Sequence, residues 1–250
     1  MVEYSEDIKA CLISGVPIYV GKVPVYSVPF AKISASPMSV YFNVLGLLMI
    51  SPSEFNDRFG DKGEMKSVID LLHVLQIASP DTFDKYNQVL SLIFGEPISE
   101  FINDSAVFTS GFVIDPDNIV DVVTVIRMRN GMYSENGDDE YTENPANDNV
   151  RRLLERRRQM RKKVASMKKG DGSDINYTDF VSIYASISGL SLQQVAAYDL
   201  YQLSNQLRRY QMHEQFDIQL QSMMHGAKIE EGDFKNYMRK MDSGSSDDDS

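Results

Sequence analysis

The spacing of apolar residues along this chain predicts a short β element followed by a succession of helices. From Val16 to Phe30 (VPIYVGKVPVYSVPF), β-branched and aromatic residues flank Gly21-Lys22, the pattern of a small hairpin. Pro17, Pro24 and Pro29 cannot donate to a ladder, which confines it to edge strands. From Pro37 to Ile50, Met38, Phe42, Leu45 and Met49 recur on one helical face, with Ser36 as cap, Pro37 at the first helical position and Gly46 as a weak point. Ser51-Pro52-Ser53-Glu54 has the form of a capping box and predicts a short helix to Arg58, stopped by Gly60.

Further along, Glu64 to Ala78 carries Val68, Leu71, Leu72, Leu75 and Ile77, and Asp81 to Phe94 carries Phe83, Tyr86, Leu90 and Phe94. Both are helical spacings, separated by Ser79-Pro80. Ala106 to Ile114 reads as a strand, and Asp115-Pro116 opens a helix through Ile126 that ends near Asn130-Gly131. Tyr133 to Asp148 is acidic and turn-rich, as a linker is. After a break at Gly170 to Asp174, Thr178 to Ser188 reads as a helix. Ser191 to Gln194 is a second capping-box pattern. Beyond it Ala196, Leu200, Leu203, Leu207 and Tyr210 recur at spacings of four and three, continued less regularly by Phe216, Leu220 and Met223. That stretch predicts one or two long amphipathic helices, followed by a short helix from Asp233 to Met241.

Proline placement sharpens the division. All nine prolines lie at or before Pro145, so only the last 105 residues are free of this helix breaker. The expected architecture is mainly α, with a small N-terminal hairpin or short sheet and a long amphipathic C-terminal helical region. Its expected parts are an α-rich domain over 1–132, an acidic linker over 133–148, a basic helix over 149–169, a helical domain over 174–241, and a disordered acidic tail over 242–250.

Charge is segregated along the chain. The net charge is −11, yet Arg151 to Lys169 holds ten Lys or Arg against Glu155, about +9 locally against −20 for the remainder. A net negative field disfavours generalised binding to nucleic acid or anionic membrane. Within the basic segment Val150, Leu153, Met160, Val164 and Met167 form a narrow apolar stripe, with Arg157 at the missing position. The plain reading is a solvated helix balancing the acidic linker and tail. The functional reading is a protein-docking element in which Arg151, Arg152, Arg156, Arg157, Arg158, Arg161, Lys162 and Lys163 meet an acidic partner, with Leu203, Leu207 and Tyr210 as apolar contacts. The alternative is phosphate contact, with affinity that falls steeply with salt.

Catalytic and metal signatures are missing. Cys11 is the single cysteine, which excludes an intramolecular disulfide and a cysteine-built zinc site and suits a reducing compartment. His73 lies among Leu71, Leu72, Val74 and Leu75, as a packed, hydrogen-bonded core histidine would, and His213 and His225 are too far apart to share a metal on one helix face. There is no P-loop, G-x-G-x-x-G or G-x-S-x-G. The run DGSDINYTDF from Asp171 lacks the glycine and terminal glutamate of a calcium loop. Carboxylate pairs such as Asp138-Asp139 fall in the acidic linker, a poor place to raise a pKa. No enzymatic role and no cofactor are expected. The acidic N-terminus has no secretory-signal pattern, and the longest apolar run, Val44 to Ile50, is far short of the roughly 20 residues of a spanning helix.

The order of segments carries a resemblance: VPVYSVPFAKIS, then SPMSVYFNVLGLLMIS, DPDNIVDVVTVIRMRNG, NDNVRRLLERRRQMRKKVASMKKG and YDLYQLSNQLRRYQMHEQFDIQLQSMMHGA. This arrangement resembles the tail assembly chaperones and related baseplate chaperone-like proteins of large tailed bacteriophages, over most of the chain. The resemblance implies a partner among tail components, the tape-measure protein above all or a baseplate protein, with self-association compatible. It implies residence in the host cytoplasm or retention in the virion tail. The family's tryptophan-bearing C-terminal helix is matched only loosely by DFKNYMRKM, since the chain has no tryptophan.

Overall fold

Ser5 accepts the Ile8 backbone N–H at 3.3 Å and starts a helix that composition alone does not announce, α1 (Glu6–Ser14). The computed structural model describes residues 4–35, 37–50, 67–132 and 177–225, without the side chains of Gln215 and Ser222. The capping box at Ser51–Glu54, the acidic linker, the basic segment, the calcium-loop-like run before Tyr177, the helix expected from Asp233 and the tail lie outside these residues.

The expected hairpin is present: β1 (Ile18–Val20) pairs antiparallel with β2 (Val23–Val25) around Gly21-Lys22, with Tyr19 opposite Pro24. Two helices follow, α2 (Phe30–Ser34) and α3 (Met38–Leu48). Helix α3 starts one residue later than expected, with Pro37 in the cap position, and it presents a different face. Tyr41, Val44, Leu45 and Leu48 are buried, whereas Met38, Phe42 and Met49 are half-buried. In so apolar a helix the polar strip is the better guide, and Ser39, Asn43 and Gly46 all face solvent, opposite the buried side.

Helix α4 (Val68–Ala78) begins after Ser67, whose backbone N–H donates to Asp70 Oδ2 at 2.9 Å while Ser67 Oγ accepts the Asp70 N–H. It buries Val68, Ile69 and Leu72 but leaves Ile77 73% exposed, so the expected apolar stripe is only partly used. Helix α5 (Pro80–Phe94) packs on α3 and α4 through Phe83, Val89, Leu90, Ile93 and Phe94. Gly95 ends it at φ +85°, and a Cβ there would come within 2.6 Å of the Tyr26 ring. Only glycine meets both demands.

Instead of one strand over 106–114, the chain forms a three-stranded antiparallel sheet, β3 (Ile98–Ile102), β4 (Ser105–Phe108) and β5 (Val113–Ile114). The β3–β4 turn sits at Asn103-Asp104, with Asn103 at φ +52°. Asn87 on α5 holds the start of the sheet by bonding both the N–H and the C=O of Ile98. Helix α6 (Ile119–Arg129) starts later than Pro116 because Asp115 Oδ1 accepts the N–H groups of Asp117 and Asn118, an Asx turn that delays the helix. His73 is half-buried and stacks on Phe101 with ring centroids 5.0 Å apart, a surface-edge role rather than the core position expected for it.

The C-terminal helices are α7 (Tyr177–Ser188), α8 (Leu192–Ala196) and α9 (Leu200–Met224). Both bonds of the Ser191–Gln194 capping box form, but that box opens only the five-residue α8. The chain then turns at Ala197 to Asp199 before α9 begins. Among the described residues the protein is mainly α, with two small sheets. One hydrophobic core joins Leu12, Val25, Tyr41, Leu90, Phe108 and Ile126 to Val181, Val195, Leu200 and Leu203. Among the described residues no helix is long and apolar enough to cross a membrane.

Within this core the Tyr41 hydroxyl donates to Asn130 Oδ1 at 2.8 Å, and Asn130 Nδ2 donates to the Ile126 carbonyl. Burial raises the Tyr41 phenol above its ordinary value. The folded protein therefore holds the phenolic proton more tightly than the unfolded chain. Stability from this group is complete below about pH 10, the unfolded value, and is lost as pH rises above it. Tyr41→Phe should cost about 1–3 kcal/mol near neutrality through the orphaned Asn130 oxygen. Urea titrations from pH 8 to 11 should show a shallower alkaline decline in the variant, and parallel declines would refute the assignment.

Candidate partner-binding surface

Helix α9 has two apolar stripes on different faces. Leu200, Leu203 and Leu207, spaced three and four apart, are buried at 1%, 1% and 8% exposure and dock its first turns against α1, α6 and α7. Met212, Phe216, Leu220 and Met223 form a second stripe. Leu207 and Phe216 are nine residues apart, about two and a half turns at 3.6 residues per turn, so the two stripes face nearly opposite directions. The continuation that looks merely irregular in sequence is a change of face.

Several apolar side chains on the far half of α9 are exposed. Ile218 is 61%, Leu220 43%, Met223 45% and Met224 80% exposed, while Met212 and Phe216 are half-buried. Four large apolar side chains are exposed within two turns, Leu220, Met223 and Met224 on one side of the helix and Ile218 on the other, unlike the scattered surface apolar residues of ordinary proteins. Methionine adds unbranched, polarizable side chains that adapt to irregular surfaces. Charges flank the stripe, with Arg208 and Arg209 toward its start and Glu214 and Asp217 beside it. His213 Nδ1 lies 3.2 Å from Asp217 Oδ2.

A buried polar latch fixes the base of this helix. Asp199 precedes α9 and is 2% exposed. Its Oδ1 accepts the Gln202 N–H at 2.7 Å, while Gln202 Oε1 accepts the Asp199 N–H at 3.0 Å, a reciprocal N-cap. The Ser27 hydroxyl donates to Asp199 Oδ2 at 2.5 Å. Arg129, 4% exposed in the last turn of α6, places Nη1 at 3.9 Å from the same oxygen. The guanidinium also donates to the carbonyls of Cys11 (3.1 Å) and Val16. Gln202 Nε2 donates to the Ile13 carbonyl at 2.8 Å, and the Tyr4 and Tyr201 hydroxyls lie 3.0 Å apart.

Two helix dipoles assist this arrangement, the cation sitting at a C-terminus and the anion at an N-terminus. Burial pushes the Asp199 carboxyl up and the Arg129 guanidinium down from their ordinary values. The Ser27 and Gln202 hydrogen bonds and the attraction between the two charges act in the opposite direction. The latch ties α1, the segment after β2, α6 and α9 together, which gives the exposed stripe a fixed base.

The sequence-predicted contact residues are distributed differently. Arg151, Arg152, Arg156, Arg157, Arg158, Arg161, Lys162 and Lys163 lie outside the described residues. Leu203 and Leu207 are covered by this chain's own helices, so the stripe they belong to faces inward rather than toward a partner. Tyr210 is half-buried and donates to Glu214 Oε1 at 3.3 Å. Sequence reasoning missed Arg129 and Asp199, although signals existed. Arg129 continues the buried Val122–Ile126 face of α6, and a cation there demands a buried acceptor. Asp199-x-x-Gln202 has the form of an N-cap. No group of three or more His, Cys, Asp or Glu that could hold a metal occurs among the described residues.

Residues 167–242 match the family model described as YomV second domain, a phage-associated family. The match covers α7, α8 and α9, including the exposed stripe. No curated protein and no solved structure matches the chain.

Proposed function

We propose that this chain is a non-enzymatic phage tail morphogenesis protein, a tail assembly chaperone or baseplate-associated structural protein that binds helical tail components such as the tape-measure protein. The observation that carries this reading is the exposed apolar stripe on the far half of α9, inside the region matched by a phage-associated family. A long helical client exposes an apolar seam before assembly, and an amphipathic helix on a fixed base is suited to cover it. Exposed Met223 and Met224 suit a client surface that varies along its length.

Co-expression with the phage's tape-measure and neighbouring baseplate proteins tests this. The expected result is a complex that co-purifies and survives moderate salt, as apolar contacts do. Failure with every one of these proteins would overturn the proposal. The local charge of about +9 over 151–169 supports a second reading, a nucleic-acid-binding accessory protein. Co-purifying nucleic acid that dissociates steeply with salt, and is lost when Arg156, Arg157, Arg158 and Arg161 are changed to Gln, would favour it instead.

A further inference from the structure

Arg129 has five N–H donors and cannot shed its charge in a protein. Its Nη1 and Nη2 atoms reach the Cys11 and Val16 carbonyls and Asp199. Its Nε does not. Among the described residues Arg129 Nε is the one buried side-chain nitrogen or oxygen with no hydrogen-bond partner. An orphaned donor on a charged, buried group is costly enough that native proteins nearly always provide an acceptor.

A small cavity lies beside this side chain. Val28, Ile93 and Ile126 wall it, and Tyr41, Arg129 and Asn130 supply its polar lining. Its volume of about 10 Å³ is at the lower limit for a single water. A water also needs two or more polar partners. The Tyr41 hydroxyl gives its hydrogen to Asn130 Oδ1 and so keeps oxygen lone pairs able to accept.

We infer that this cavity is a binding site for one long-lived structural water, which accepts from Arg129 Nε–H and donates to the Tyr41 hydroxyl oxygen. The water completes the guanidinium's set of acceptors without adding a second negative charge. Asp199 therefore remains the only carboxylate the cation needs, and its other oxygen stays committed to the cap of α9. The site also links the Arg129–Asp199 latch to the Tyr41–Asn130 pair, making one network of two that otherwise sit side by side.

The test uses the unmodified full-length chain labelled with ¹⁵N. The expected result is an exchange-protected Arg129 Hε resonance with a water cross-peak whose NOE and rotating-frame NOE have opposite signs, the signature of a water that outlives molecular tumbling. A resolved Hε signal without that cross-peak overturns the inference. So does an Hε that exchanges too fast to observe, because bulk solvent would then reach the nitrogen directly. Oxygen-17 relaxation dispersion offers an independent reading, and zero long-lived internal waters would likewise remove the site.

Discussion

Arg129→Met is expected to lower the free energy of unfolding by about 3–5 kcal/mol, the usual cost of removing one partner from a buried pair. The substitution preserves much of the side-chain volume but leaves Asp199 as a lone carboxylate at 2% exposure and the Cys11 and Val16 carbonyls without their donor. Urea denaturation should show the loss as a lower midpoint with an unchanged slope. Asp199→Asn, which keeps a cap acceptor for the Gln202 N–H but discharges the pair, should be damaging for the converse reason. The double variant should recover part of the loss, since no unpaired charge then remains buried. If Arg129→Met stayed within about 1 kcal/mol of the parent, the latch would not be what fixes α9.

Changing Leu220 and Met223 together to Glu is expected to abolish client binding while leaving the fold intact. Both residues are more than two-fifths exposed, so their own protein gains little from them and the thermal midpoint should barely move. Two buried interface anchors of about 2 kcal/mol each, lost together, correspond to several hundred-fold in affinity. Co-purification with a tail component, measured beside circular dichroism, separates the outcomes. Unchanged binding would move the partner surface elsewhere, whereas a collapsed melting curve would show that the stripe belongs to the core. The same change at Leu203 could not distinguish these, because that side chain is already internal.

The elements with strong punctuation were legible in the sequence. Gly21-Lys22 marked the hairpin, Ser79-Pro80 separated two helices, and the Ser191–Gln194 box formed as its pattern requires. What escaped was set by tertiary context. The ISEFI strand contains charge and lies beyond Pro97, so its alternation is weak, yet Asn87 on the preceding helix fixes its first residue. The face of α3 could not be read from a sequence apolar on nearly every side. On α9, the regular run from Leu200 to Tyr210 and its less regular continuation through Phe216, Leu220 and Met223 gave no sign of which side faced inward, whereas burial separates an inward half from an outward half. The meeting of the latch residues escaped because they are far apart in the chain, Ser27 and Asp199 by 172 residues; Arg129 and Asp199 each carry a local signal, but no local pattern reports their pairing.

That separation also bears on how the protein is made. Tyr4 meets Tyr201, and the Ile13 carbonyl is held by Gln202, so the first helix finds these neighbours only after synthesis has passed Gln202. Until then Leu12 and its surroundings wait with one wall missing, in the kind of incomplete state that is open to aggregation and to capture by other chains. A protein proposed to shelter an unfinished assembly would itself pass through a vulnerable interval on the ribosome, ended by the arrival of α9.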